Sequence, residues 1–123
     1  MYGLGISEET TLDGLTITGG YADDASNDGA GLRLSESSPY VTNCTIFDNW
    51  CGDNGGGFYV ATESYPVVTG CYFINNYADD KGGGVYTATG CDALFTNCVF
   101  ANNTTVNDGA ALRIYRGSPT FMN

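Results

Sequence analysis

The side chains in this chain that could do chemistry are carboxylates, phenols, thiols and a few cations, because it contains no histidine. Histidine-based triads and histidine-liganded zinc are therefore excluded. Asp23, Asp24, Asp53, Asp79, Asp80 and Asp108 gather just before four Gly-containing motifs, with Asp28 among them. Hard cations take carboxylate and carbonyl oxygens, so these six are the candidate Ca²⁺ ligands. Asp also forms ordinary turns, as in Asp28-Gly29 and Asp108-Gly109, and Lys81 in the middle of the group counts against a cation. A paired-carboxylate hydrolase could be drawn from so many Asp residues, but no pair stands out from the turn background.

A second set is Arg33, Tyr59, Tyr86 and Arg113, spaced so that they share one outward column of a repeat. Exposed stacked aromatics bind sugar rings or another protein. The plainer reading is cross-strand pairing on an exposed face.

Composition narrows the partners. Four Lys and Arg stand against 14 Asp and Glu, a formal net charge of -10. That balance disfavours nucleic acid, whose phosphates need a basic surface, and anionic membranes. With 42% hydrophobic residues the chain is not of disordered composition. It has no apolar run long enough for a spanning helix, so direct membrane insertion is not expected. Met1-Tyr2-Gly3-Leu4-Gly5-Ile6 has neither a basic nor a strongly apolar leader segment, as expected of a mature or partial chain.

The elements that must position these residues follow from an internal repeat. Cys44, Cys71 and Cys98 are spaced 27 and 27 residues apart. Gly29-Ala30-Gly31-Leu32, Gly55-Gly56-Gly57-Phe58, Gly82-Gly83-Gly84-Val85 and Gly109-Ala110-Ala111-Leu112 keep spacings of 26, 27 and 27. Pro39, Pro66 and Pro119 open successive repeats, with Ala93 in the equivalent place in one. Apolar columns run through Leu12/Val41/Val68/Phe95/Phe121, Leu15/Cys44/Cys71/Cys98, Ile17/Ile46/Phe73/Phe100, Leu32/Phe58/Val85/Leu112 and Leu34/Val60/Thr87/Ile114. Within a repeat these positions pair two residues apart, the period of a strand, and no segment shows a helical period. Short strands at this spacing predict a solenoid whose equivalent strands stack about 4.8 Å apart and whose columns fill one continuous core. Four coils of 26–29 residues are expected, at about 12–40, 41–66, 67–93 and 94–120, with partial coils at both ends.

Gly14, Asn43, Gly70, Asn97 and Asn123 form a column of only Gly and Asn, the residues that accept positive φ at low cost, which predicts a left-handed bend. Asn49, Asn76 and Asn103, with Gly20 in the first coil, predict an amide ladder. The Cys44/Cys71/Cys98 column reads as small apolar core residues. Its parallel Cβ vectors suit a disulfide poorly. Cys51 and Cys91 fall outside that column, in turns on different sides of the coil, and are the candidates for an intermolecular disulfide. Five cysteines leave at least one without an internal partner.

Ser118-Pro119-Thr120-Phe121, Thr42-Asn43-Cys44-Thr45-Ile46, Phe73-Ile74-Asn75-Asn76, Phe100-Ala101-Asn102-Asn103 and the Gly-Gly-Gly-apolar motifs resemble secreted bacterial right-handed parallel β-helix repeat proteins. The pairing of Phe-x-x-Asn with Gly-Gly-apolar is also similar to polymorphic outer-membrane proteins of autotransporter type. The resemblance implies an all-β right-handed parallel β-helix in an extracellular or cell-surface setting. This scaffold hosts adhesins, stalks, lyases and hydrolases alike. A lyase of this fold needs a base beside a calcium-bound acidic sugar, and Arg33, Lys81, Arg113 and Arg116 are too scattered to supply one. The expectation is therefore a non-enzymatic structural module of a fibre, stalk or adhesin that self-associates end to end. The alternative is a carbohydrate-binding or carbohydrate-active β-helix, and cofactors are none or Ca²⁺.

Overall fold

A computed structural model describes residues 1–4 and 10–123, so Gly5 and Ile6 lie outside the described residues. All described regular structure is strand, arranged as a parallel β-solenoid of about four turns. Four sheets run along its axis, two of five strands and two of four. Sheet I stacks Tyr2–Leu4, Leu32–Ser35, Phe58–Val60, Val85–Thr87 and Leu112–Ile114. Sheet II stacks Thr11–Asp13, Tyr40–Thr42, Val67–Thr69, Leu94–Thr96 and Thr120–Met122. Sheet III stacks Thr16–Thr18, Thr45–Phe47, Tyr72–Ile74 and Val99–Ala101. Sheet IV is made of the two-residue strands Tyr21–Ala22, Trp50–Cys51, Tyr77–Ala78 and Thr104–Thr105. Each strand pairs with the equivalent strand of the next coil in the register the columns predict, as in Val41 opposite Val68 and Ile46 opposite Phe73.

Four corners give each coil its cross-section, and each corner is a column of positive φ. Gly14, Asn43, Gly70 and Asn97 turn at φ 65°, 52°, 64° and 52°, where the sequence places a bend. Two further bends lie at Gly19/Asp48/Asn75/Asn102 and Glu36/Glu63/Gly90/Arg116, and the fourth at the first glycine of each Gly motif. Left-handed Glu and Arg are strained relative to Gly or Asn, so the neighbouring strands must hold them there.

The core is the set of inward columns. Leu32, Leu34, Val41, Ile46, Phe58, Val60, Val68 and Phe73 are wholly buried. Phe73 stacks on Phe100 with ring centroids 5.0 Å apart, and Phe95 stacks on Phe121 at 4.9 Å. Because a parallel in-register stack repeats one environment every coil, a residue that packs well in one coil packs well in the next.

Candidate functional site

The asparagine ladder is the most completely bonded polar feature. Asn49 Nδ2 donates to Asn76 Oδ1 at 2.9 Å, and Asn76 Nδ2 donates to Asn103 Oδ1 at 3.1 Å. The same amides donate inward to the carbonyls of Ile17, Ile46 and Phe73. Gly20, which has no side chain to continue the ladder, donates its N–H to Asn49 Oδ1. The Gly motifs exist to make room for it. A Cβ on Gly57 would lie 2.6 Å from the Gly84 carbonyl oxygen and 2.8 Å from Asn76 Nδ2, and Gly31 and Gly84 stand equally close to Asn49 and Asn103. Sequence shows both columns but not that they touch.

The six candidate calcium ligands are not brought together. Among the described residues no group of three or more carboxylates or thiols is placed to hold a metal. Local donors take the oxygens instead. Asp80 pairs with Lys81 and accepts from Asn107 Nδ2 at 2.6 Å, and Asp53 accepts from Asn54 Nδ2 at 2.8 Å. Asp79 accepts the Tyr77 hydroxyl at 2.7 Å, and Asp24 accepts from Ser26. Asp23 is exposed and Asp108 joins the ladder through its backbone opposite Lys81. Partial burial, then the charges of Asp28 and Asp80, raise the Asp53 carboxyl above its ordinary range. The Lys81 ammonium and Asn107 amide hold Asp80 below it.

Arg33, Tyr59, Tyr86 and Arg113 do share one column of sheet I, and the structure adds Tyr2 at its start. The expectation of an exposed aromatic pair needs correction at Tyr86, which is only 8% accessible. Tyr59 and Tyr86 stack on each other with centroids 5.2 Å apart and planes 5° from parallel. The Arg33 guanidinium lies 5.2 Å from the Tyr59 ring and 5.5 Å from the Tyr2 ring, and pairs with Asp28 at 3.9 Å. Burial, followed by the Asp28 charge, pushes the Tyr59 phenol well above its usual range. The column is thus a cation–π staple joining the first strand to the coils.

A second aromatic column was not read from the sequence. Tyr21, Trp50 and Tyr77 stack along sheet IV at 4.7 and 6.0 Å, and Tyr21 keeps 69% of its surface exposed. The repeated Tyr-Ala-Asp-Asp was the available signal. Trp50 hid the column because its own segment, Trp50-Cys51-Gly52-Asp53, breaks that spelling.

The thiols overturn one expectation. Cys51 and Cys91 are both wholly buried, so neither reaches a neighbouring molecule for a disulfide. Cys51 sits on a strand of sheet IV, inward beside Ala22 and Ala78, and donates to the Asn27 carbonyl at 2.8 Å. Cys91 follows Ser37 and Ser64 at 27-residue intervals and donates to the Ala61 carbonyl at 2.6 Å, as a hydroxyl would. Burial raises both thiols. Cys44, Cys71 and Cys98 each donate to the carbonyl two residues back. The neighbouring Cys98 thiol, then burial, raises the Cys71 thiol, while Cys98 itself is only half-buried.

A family model described as a right-handed β-helix region matches residues 1–123, the whole chain. The chain belongs to the right-handed β-helix family. No curated protein and no solved structure matches it. The β-helix fold is compatible with structural and with carbohydrate-related roles. In this β-helix the ladders and corners absorb most of the polar side chains that the sequence offers for chemistry.

Proposed function

We propose that this β-helix is an extracellular structural module, a segment or subunit of a cell-surface fibre, stalk or adhesin extended along the solenoid axis by end-to-end self-association. The observation that supports this is the constancy of its cross-section. Every coil repeats the same four sheets, and the terminal coils keep the register of the central ones. Phe121 at one end is 42% exposed and Leu15 at the other 37%, each the last rung of a core column. A strand edge with an apolar rung is a template for a further coil, whether of the same chain or of a second copy.

Electron microscopy of the purified chain over a wide concentration range tests the self-association. Filaments whose axial repeat is about four to five coils at roughly 4.8 Å per coil are expected. Discrete particles at every concentration would overturn it. The carbohydrate reading is disfavoured at Tyr59 and Tyr86, because their rings face each other and Tyr86 is buried.

A further inference from the structure

The outward face of sheet IV is an aromatic ladder that stops one rung early. Tyr21, Trp50 and Tyr77 occupy three successive rungs, and Thr104 pairs in register with Tyr77 at the fourth. Thr104 is exposed and presents only a hydroxyl and a methyl where the next ring would stand. Beside this step lies negative charge. Asp79 is two residues beyond Tyr77, on the same side of the strand, and accepts the Tyr77 hydroxyl through Oδ1, leaving Oδ2 for a further donor. Asp23 holds the equivalent place beside Tyr21, and Asp48 is two residues before Trp50; both are exposed. In the neighbouring loop Asp53 is raised first by partial burial and then by the charges of Asp28 and Asp80. The net charge of -10 extends that field over the whole chain.

Sheet I contains the complement of this step within the same molecule. There a guanidinium fills the rung between two tyrosines, Arg33 against Tyr2 and Tyr59, with Asp28 as its carboxylate partner. Sheet IV offers the ring, the small rung and the carboxylate without the guanidinium. We propose that the Tyr77–Thr104 step of sheet IV, flanked by Asp79, docks an arginine side chain of a cationic peptide segment of a partner protein. Further cationic side chains of that segment would meet Asp23 and Asp48 along the ladder. Guanidinium is favoured over ammonium because its flat face stacks on a ring while its edge donates to a carboxylate. A neutral glycan could donate its hydroxyls to the carboxylates but leaves their charge uncompensated, whereas a guanidinium neutralises it on a chain of net charge -10. The proposal does not depend on end-to-end assembly.

The test is calorimetric titration of the intact chain with a synthetic peptide of four arginines alternating with glycine, with emission from Trp50, the chain's one tryptophan, as a local reporter. Saturable, salt-sensitive binding with a change in Trp50 emission is expected. Thr104→Tyr, which fills the rung, and Asp79→Asn should each weaken it about three- to tenfold. Thr104→Ala, which leaves the rung open, should bind as the parent does. Melting curves of the variants confirm that all remain folded. A lysine–glycine peptide should bind several-fold more weakly. The proposal is overturned if no saturable binding occurs, if Thr104→Tyr binds normally, or if the lysine peptide binds equally well, which would mean diffuse charge attraction. Displacement of the arginine peptide by a neutral cello-oligosaccharide would also overturn it and make the ladder a glycan platform.

Discussion

Replacing Asn76 by Ala should cost more stability than any other single truncation of a polar side chain in the coil. The Asn76 side chain makes four buried hydrogen bonds, accepting from the N–H and the amide of Asn49 and donating to Ile46 and Asn103. Its position is wholly inaccessible, so the groups left behind have no water to turn to. At about 1 kcal/mol net per bond, and more for each orphaned buried donor, the loss is about 4 kcal/mol. A domain of this size is stable by only about 5–15 kcal/mol, so the variant folds but is markedly weakened. Asn103→Ala supplies the comparison. It breaks three side-chain bonds at a site 8% accessible, near the end of the ladder, where water can replace some of them. A loss of about 2 kcal/mol is expected there. Urea unfolding followed by far-UV circular dichroism and Trp50 emission gives both numbers, and hydrogen exchange should locate the weakening in the coils on either side of Asn76. A loss below about 1 kcal/mol at Asn76, or equal losses at the two sites, would refute the argument that the ladder is a stabilising network.

Gly57→Ala should prevent folding or cost more than about 2 kcal/mol, because the new methyl meets the Gly84 carbonyl at 2.6 Å. Gly90→Ala, where nothing lies within 4 Å but φ is +72°, should cost only about 1 kcal/mol, and equal melting temperatures for the two would contradict this. Thr87→Val should stabilise by about 1 kcal/mol, since the Thr87 hydroxyl is buried without a hydrogen-bond partner in a column otherwise made of Leu34, Val60 and Ile114; a lower urea midpoint would refute it. Asp53→Asn should raise the melting temperature at neutral pH. The folded carboxyl is raised above its unfolded value, so the native state is penalised once pH exceeds that folded pKa. The gain should vanish as pH falls below about 4, where Asp53 is protonated in both states, and a pH-independent difference would refute the electrostatic origin. With a thiol-reactive aromatic disulfide, Cys98, the one cysteine that is not fully buried, should react first, the other four only as the chain unfolds. Rapid native-state labelling of Cys51 or Cys91 would contradict their burial.

The fold was legible because a parallel solenoid repeats its environments, and repeated environments select repeated residue types. Val41/Val68/Phe95 and Ile46/Phe73/Phe100 sit in register because each rung must fill the same slice of core. The corner at Gly14, Asn43, Gly70 and Asn97 was legible for the same reason, since backbone strain there is relieved only by Gly or Asn. The corner at Glu36, Glu63, Gly90 and Arg116 was not. Its bend is imposed by the strands on either side, so no residue type marks it. Cys51 was expected in a turn but lies on a strand, and the rung that Cys91 occupies went unrecognised, because only the Cys44 column was followed. Cys91 belongs to a column of Ser37 and Ser64, where a small donor to a backbone carbonyl is all that the site requires.

Chemistry was harder to read than architecture, and the acidic residues show why. Clustering along the sequence is one-dimensional, whereas a metal site needs oxygens that converge in space. In a solenoid, equivalent loops are offset by a coil spacing, so a carboxylate meets whatever stands at the same rung of the neighbouring coil. Asp28 meets Asn54, Asp80 meets Asn107 and Asp13 meets Thr42 and Asn43. Each of these contacts joins residues 26 to 30 positions apart. A carboxylate with an amide or hydroxyl on the adjacent rung is therefore a coil-to-coil tie. The rungs to search for binding are those where an exposed column changes residue class abruptly, because there the stack offers a surface that its own next coil does not cover. Sheet IV has one such step, from the Tyr77 ring to the Thr104 hydroxyl, and it borders a carboxylate that retains a free oxygen.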